Sequence, residues 1–157
     1  MGLRDKDGYT AAHYLQGYVT DRIGKYLAER GRRIIGWDEI LEGQAPSDAI
    51  VMSWRGSAGG IKAAKLGHDV IMTPNSHFYF DYYQSPDADA EPFGIGGCVT
   101  IDKVYSFDPM ADLTPGQQAH ILGVQANLWT EYIASDDHLE YMLLPRLAAL
   151  SEVQWCQ

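Results

Sequence analysis

The sequence predicts an α/β fold with a parallel sheet. Short apolar runs alternate with segments of helical periodicity, and each apolar run ends in a cluster of polar and aromatic residues. A 157-residue chain that is 46% hydrophobic and 11% aromatic can bury a globular core.

The first element is a helix over Thr10–Arg30, where Ala11, Tyr14, Leu15, Tyr18, Val19, Ile23, Tyr26 and Leu27 recur at three- and four-residue steps. Gly31 ends it. Arg33–Trp37 follows as a buried strand opening into Asp38 and Glu39. Ala49–Trp54 repeats the design, and the small-residue stretch after it forms a helix closed by Gly67. His68–Thr73 is the third strand and runs into Asn75–Gln84, where aromatics surround Asp81. Ser85–Pro115 is polar, contains proline and reads as a long loop region with room for one helical turn. The fourth strand begins at Ile121 and ends in Trp129 and Glu131. Asp136–Trp155 is the last helix, with Pro145 starting or kinking its main part. This order implies right-handed crossovers.

Composition narrows the function. A net charge of -9 has the wrong sign for nucleic acid or an anionic membrane. Cys98 and Cys156 form neither a CxxC pair nor a zinc spacing, and no two histidines stand at the i, i+4 spacing of a helical metal pair. No metal or other cofactor is expected. The sequence contains no membrane-length apolar run and its first residues carry no apolar signal core, so a soluble chain of open compartment is expected.

The strand ends carry the chemistry: Trp37 with Asp38, Trp54 with Arg55, Tyr79 with Asp81, and Trp129 with Glu131. Parallel α/β folds place their sites at that end. Sugars present flat C–H faces ringed by hydroxyls, so aromatic walls beside carboxylate acceptors suit them. A single tryptophan is as readily a core residue; three at equivalent strand ends favour a pocket.

Five segments taken together, GWDEI at Gly36–Ile40, SWRG at Ser53–Gly56, YFDYY at Tyr79–Tyr83, GVQANLWTE at Gly123–Glu131 and PRLAALSE at Pro145–Glu152, resemble the family 20 β-N-acetylhexosaminidases. The resemblance covers nearly the whole chain in the family's order. It implies a partial TIM barrel, about the last four β/α units, with residues 1–157 forming the C-terminal half of a catalytic barrel and no second domain. By the same resemblance Trp37, Trp54 and Trp129 wall the pocket for the acetamido methyl group of a terminal N-acetylhexosamine. Tyr79 donates to the acetamido oxygen, and Asp81 and Glu131 bind sugar hydroxyls. The family reaction is retaining and substrate-assisted, through an oxazolinium intermediate. Family members are commonly secreted, periplasmic or lysosomal.

The family's adjacent catalytic aspartate and glutamate lie in a His-x-Gly-Gly-Asp-Glu motif, which these 157 residues do not contain. Asp38 and Glu39 invite that assignment, but they follow Gly36 and Trp37, which match a later strand. The chain alone is therefore expected to be inactive, with Tyr79 as its one catalytic-site contribution. Half of a barrel of about 250 residues would leave open sheet edges, so pairing with the missing N-terminal half or self-association as a homodimer is expected. The alternatives are an N-acetylglucosamine-binding module without hydrolysis and a self-assembling half-barrel that binds nothing. Arg146 and Glu152 are expected to pack and form salt bridges.

Overall fold

The computed structural model describes residues 10–43 and 45–156. Four short strands, β1 (Ile35–Trp37), β2 (Ile50–Ser53), β3 (Val70–Met72) and β4 (Ile121–Val124), form one parallel sheet in the order β1-β2-β3-β4. Chain order equals sheet order, as successive β/α units require. The β1–β2 register aligns Ile35 with Ile50 and Trp37 with Met52. Val51 N donates to Asp69 O at 2.9 Å and Val70 N to His120 O at 2.8 Å, which joins the remaining strands.

The helices are α1 (Ala11–Ala28), α2 (Ala58–Lys65), α3 (Asn75–Phe78), α4 (Ile101–Tyr105), α5 (Pro115–Gln118), α6 (Asp136–Leu143) and α7 (Arg146–Cys156). Local chemistry sets their ends. The Thr10 backbone N–H donates to His13 Nδ1 at 3.0 Å at the start of α1, and Thr100 Oγ1 and Ser135 Oγ accept from Lys103 and His138 N–H groups at the starts of α4 and α6. Gly67 follows α2 at φ +84, a conformation glycine adopts without a Cβ penalty. The expected final helix is two helices. Pro145 lacks the N–H that a continuous helix needs, and α7 begins immediately after it. The stretch expected to be loop with room for one helical turn, Ser85–Pro115, holds the 3₁₀ turn Ala88–Ala90 and the short α4, and α5 begins at its last residue.

The described chain up to Ile71, with Asp112–Leu122, forms one compact unit; Met72–Ala111 with the chain from Gly123 forms the other. In the first, Ala49, Val51, Ala63 and Val70 are fully buried. Helix α1 is where the structure departs most from the periodic reading. Its buried residues are Gly17 and Gly24, while Tyr14, Leu15, Tyr18, Val19, Ile23 and Tyr26 are exposed. Close approach explains this: a Cβ on Gly24 would stand 2.8 Å from Pro46 Cγ, and one on Gly43 would stand 3.4 Å from Gly17 Cα. Residues 17 and 24 lie seven apart, hence on one stripe of the helix.

In the second unit Phe78, Phe80, Val99, Val104, Met142 and Val153 form the core. Arg146 lies at its centre with 0% exposure. Its guanidinium donates to the carbonyls of Phe80 at 2.6 Å, Tyr82 at 2.9 Å, Val99 at 3.1 Å and Met142 at 2.5 Å. Among the described residues, hydrogen bonds to carbonyl oxygens stand in place of the salt bridge expected of Arg146. Burial depresses the Arg146 pKa to about 10, and the group remains a cation at neutral pH.

Candidate functional site

The site residues expected from sequence fall into two clusters, one in each compact unit. In the first unit Trp37 closes β1 and leads into a single 3₁₀ turn, Asp38–Leu41. Trp54 directly follows β2. Asp38 is 2% exposed, and its Oδ2 accepts from the backbone N–H groups of Trp54 at 3.1 Å and Arg55 at 3.2 Å. Its Oδ1 accepts from Arg55 Nε at 2.5 Å. Glu39 takes the ring end of Trp54, whose Nε1 donates to Oε1 and Oε2, each at 3.0 Å. Arg55 completes the group with an ion pair to Glu42 at 2.6 Å, and Glu42 leads the causes that hold its pKa above the ordinary value. The Asp-Glu pair is therefore engaged with the Trp54–Arg55 turn.

The second cluster forms where β3 and β4 have ended. After β3 the chain makes the single turn α3, then pairs in parallel again at Tyr79 and Asn127. Asn127 N donates to Phe78 O at 2.8 Å, and Phe80 N donates to Asn127 O at 2.7 Å. Side-chain bonds fix Asn127 as well, with its Nδ2 donating to Thr73 Oγ1 at 2.8 Å and its Oδ1 accepting from Gln125 Nε2 at 3.0 Å. The structure thus brings Tyr79 together with Trp129 and Asn127, both of which act against the rise that burial gives its hydroxyl pKa. Burial is the chief reason its hydroxyl pKa lies above the usual value, so at neutral pH Tyr79 is a phenol able to donate.

Asp81 is 7% exposed, and burial is the first cause raising its pKa, opposed by hydrogen bonding to its own and the Trp129 backbone and by Arg146, with Glu131 adding to the rise. Its Oδ1 is buried and has no hydrogen-bond partner among the described residues. A carboxylate oxygen in that condition is costly unless something donates to it. Trp129 is 44% exposed and keeps part of its ring open to solvent, and Glu131 is exposed.

His77, two residues before Tyr79, packs with its ring 5.1 Å from that of Phe107, and burial followed by Lys103 lowers its pKa. Asn127 and Arg146 are the residues that sequence reasoning left without a site role. For Asn127 the signal was a polar residue inside the run from Ile121 to Trp129; Arg146 gave none, because its partners are backbone carbonyls up to 66 positions away.

An α/β sheet that carries aromatic and carboxylate side chains at its strand ends has the residue types a carbohydrate site uses. The family model for the glycosyl hydrolase family 20 catalytic domain matches residues 2–157. A β-hexosaminidase of Porphyromonas gingivalis is 45% identical over 155 residues, covering 98% of this chain and 20% of that protein. One from Vibrio furnissii is 31% identical over 154 residues, covering 96% of this chain and 25% of that protein. Among solved structures, the family 20 exo β-N-acetylglucosaminidase of Vibrio harveyi in complex with N-acetylglucosamine superposes with a TM-score of 0.81 at 28% identity, covering 96% of this chain and 24% of that one. The chain belongs to glycoside hydrolase family 20. It spans about a fifth to a quarter of the length of these relatives.

Proposed function

We propose that this chain is the part of an exo-acting β-N-acetylhexosaminidase that grips the terminal N-acetylhexosamine, and that it lacks the general acid. The observation that carries the reading is Asp81 Oδ1, the one carboxylate oxygen that is buried with no hydrogen-bond partner among the described residues, in the same compact unit as the Tyr79 hydroxyl and the half-open Trp129 ring. A sugar hydroxyl would satisfy the carboxylate, and an acetamido oxygen would accept from the Tyr79 phenol. Trp129 is the proposed aromatic wall in this unit, with Glu131 as a second hydroxyl acceptor, and Trp37 and Trp54 keep the wall roles that the family resemblance implies.

In the parent enzyme the acetamido oxygen attacks the anomeric carbon with retention, while an acid from outside these 157 residues protonates the leaving oxygen. Holding the acetamide in attack geometry is itself worth several powers of ten in rate. Asp38 and Glu39 are already engaged with Trp54 and Arg55, which supports assigning the acid elsewhere.

The exposed apolar residues of α1 support an association reading. Six large side chains of one helix facing water favour a covering partner. In the parent we assign that role to the remaining β/α units, and for the isolated chain to a second copy. Light scattering tests this, with a dimer or larger assembly expected and a clean monomer counting against it.

Titration of the purified chain with N-acetylglucosamine, followed by tryptophan fluorescence, tests the sugar site. Asp81→Asn should weaken binding about tenfold, the loss of one charge-assisted hydrogen bond. Equal response to glucose, or an unchanged affinity in the variant, would overturn the reading.

A further inference from the structure

We infer that Glu39 is a positioning residue for the Trp54 wall, working with Asp38 as a two-point clamp; the inference rests on the proposed reading of Trp54 as a sugar-facing wall. A pocket wall must hold its ring plane, and a tryptophan side chain has two torsions to fix. Trp54 is half-buried. Two consecutive carboxylates fix the residue at opposite ends. Asp38 holds the backbone, accepting from the N–H groups of Trp54 and Arg55. Glu39 holds the ring, its two oxygens sharing the indole N–H at 3.0 Å each.

The clamp is anchored rather than mobile. Asp38 is 2% exposed, its second oxygen is taken by Arg55 Nε, and a Cβ on Gly59 would stand 2.8 Å from its own Cβ, so α2 closes over it without a gap. The 3₁₀ turn that begins at Asp38 then fixes where Glu39 starts. An Asp-Glu pair that imitates a catalytic dyad in sequence serves here to set one aromatic wall. Glu39 acts through Trp54 and touches no reacting atom.

The test compares Glu39→Leu, which removes the acceptor, with Glu39→Gln, which keeps a carbonyl oxygen for the indole. Two quantities are read on the full chain: the Trp54 indole ¹H–¹⁵N resonance, assigned by its loss in Trp54→Phe, and the dissociation constant for N-acetylglucosamine. Glu39→Leu should move the indole resonance and weaken sugar binding about tenfold, with an unchanged circular dichroism spectrum. Glu39→Gln should restore most of both. An indole resonance unmoved by Glu39→Leu overturns the clamp, and a moved resonance with unchanged sugar affinity overturns the positioning role. If the wild-type chain binds no N-acetylglucosamine while the resonance still moves, the clamp stands and the sugar-site reading fails.

Discussion

Replacing Arg146 with methionine removes the donors from four carbonyl oxygens, those of Phe80, Tyr82, Val99 and Met142, at a position with 0% exposure. Methionine fills similar volume but offers no hydrogen. Each buried carbonyl left unpaired costs about 1–3 kcal/mol. Against this, the variant is relieved of desolvating a cation that burial holds down at a pKa of about 10. The net loss should be about 4 kcal/mol, a large fraction of the roughly 5–15 kcal/mol that stabilises a typical domain. Arg146→Lys keeps the charge but reaches fewer carbonyls, and should lose about half as much. Urea unfolding followed by circular dichroism measures both. Because Phe80 and Tyr82 flank Asp81, amide exchange should quicken first across residues 80–82. A change below about 0.5 kcal/mol for Arg146→Met, the scale of a surface substitution, would refute the argument that this guanidinium organises the unit.

Two carboxylates should move stability with pH in opposite directions. Arg33 first, then His120, lowers the Asp69 pKa below its ordinary 3.8, so its contribution is present above that value and is lost as pH falls through the folded-state pKa. Asp69→Asn should cost under about 1 kcal/mol at neutral pH, because the pair is partly exposed, and nothing at strongly acid pH. Burial raises the Asp81 pKa above 3.8, so the cost of its buried charge grows as pH rises from there to the folded-state pKa. Asp81→Asn should therefore be more stable than wild type at pH 7 with the gap closing toward pH 3.8, in a urea series run at several pH values. Gly97→Ala meets a φ of +73 and places a Cβ 2.5 Å from Tyr82 Cδ2, so thermal unfolding should show a loss of roughly 2–4 kcal/mol.

The strand positions were legible because a buried parallel strand is a short apolar run and its exit is polar, as at Ile35–Trp37 and Ile50–Ser53. Helix α1 was legible as a helix but its packing was not. Apolar periodicity marks the face rich in side-chain area, whereas here the approach is made through Gly17 and Gly24, which register as gaps in a hydrophobic pattern. Helix α3 was lost among the aromatics that follow Pro74, since one turn cannot display a 3.6-residue period. The residues proposed as walls and acceptors stood out in the sequence only as residue types at strand ends. Their supports were not: Asn127 reaches Thr73 across 54 positions, and Glu39 reaches Trp54 across 15, pairings that only the folded chain specifies.

The central claim is that these 157 residues grip a sugar without supplying the acid. The most direct measurement is hydrolysis of an aryl N-acetyl-β-glucosaminide by the purified chain, after circular dichroism has established that it is folded. The account predicts no turnover, from wild type and from Glu39→Gln alike. Turnover by the wild type that Glu39→Gln abolishes would contradict it, placing the general acid at Glu39 and making the chain an enzyme in its own right.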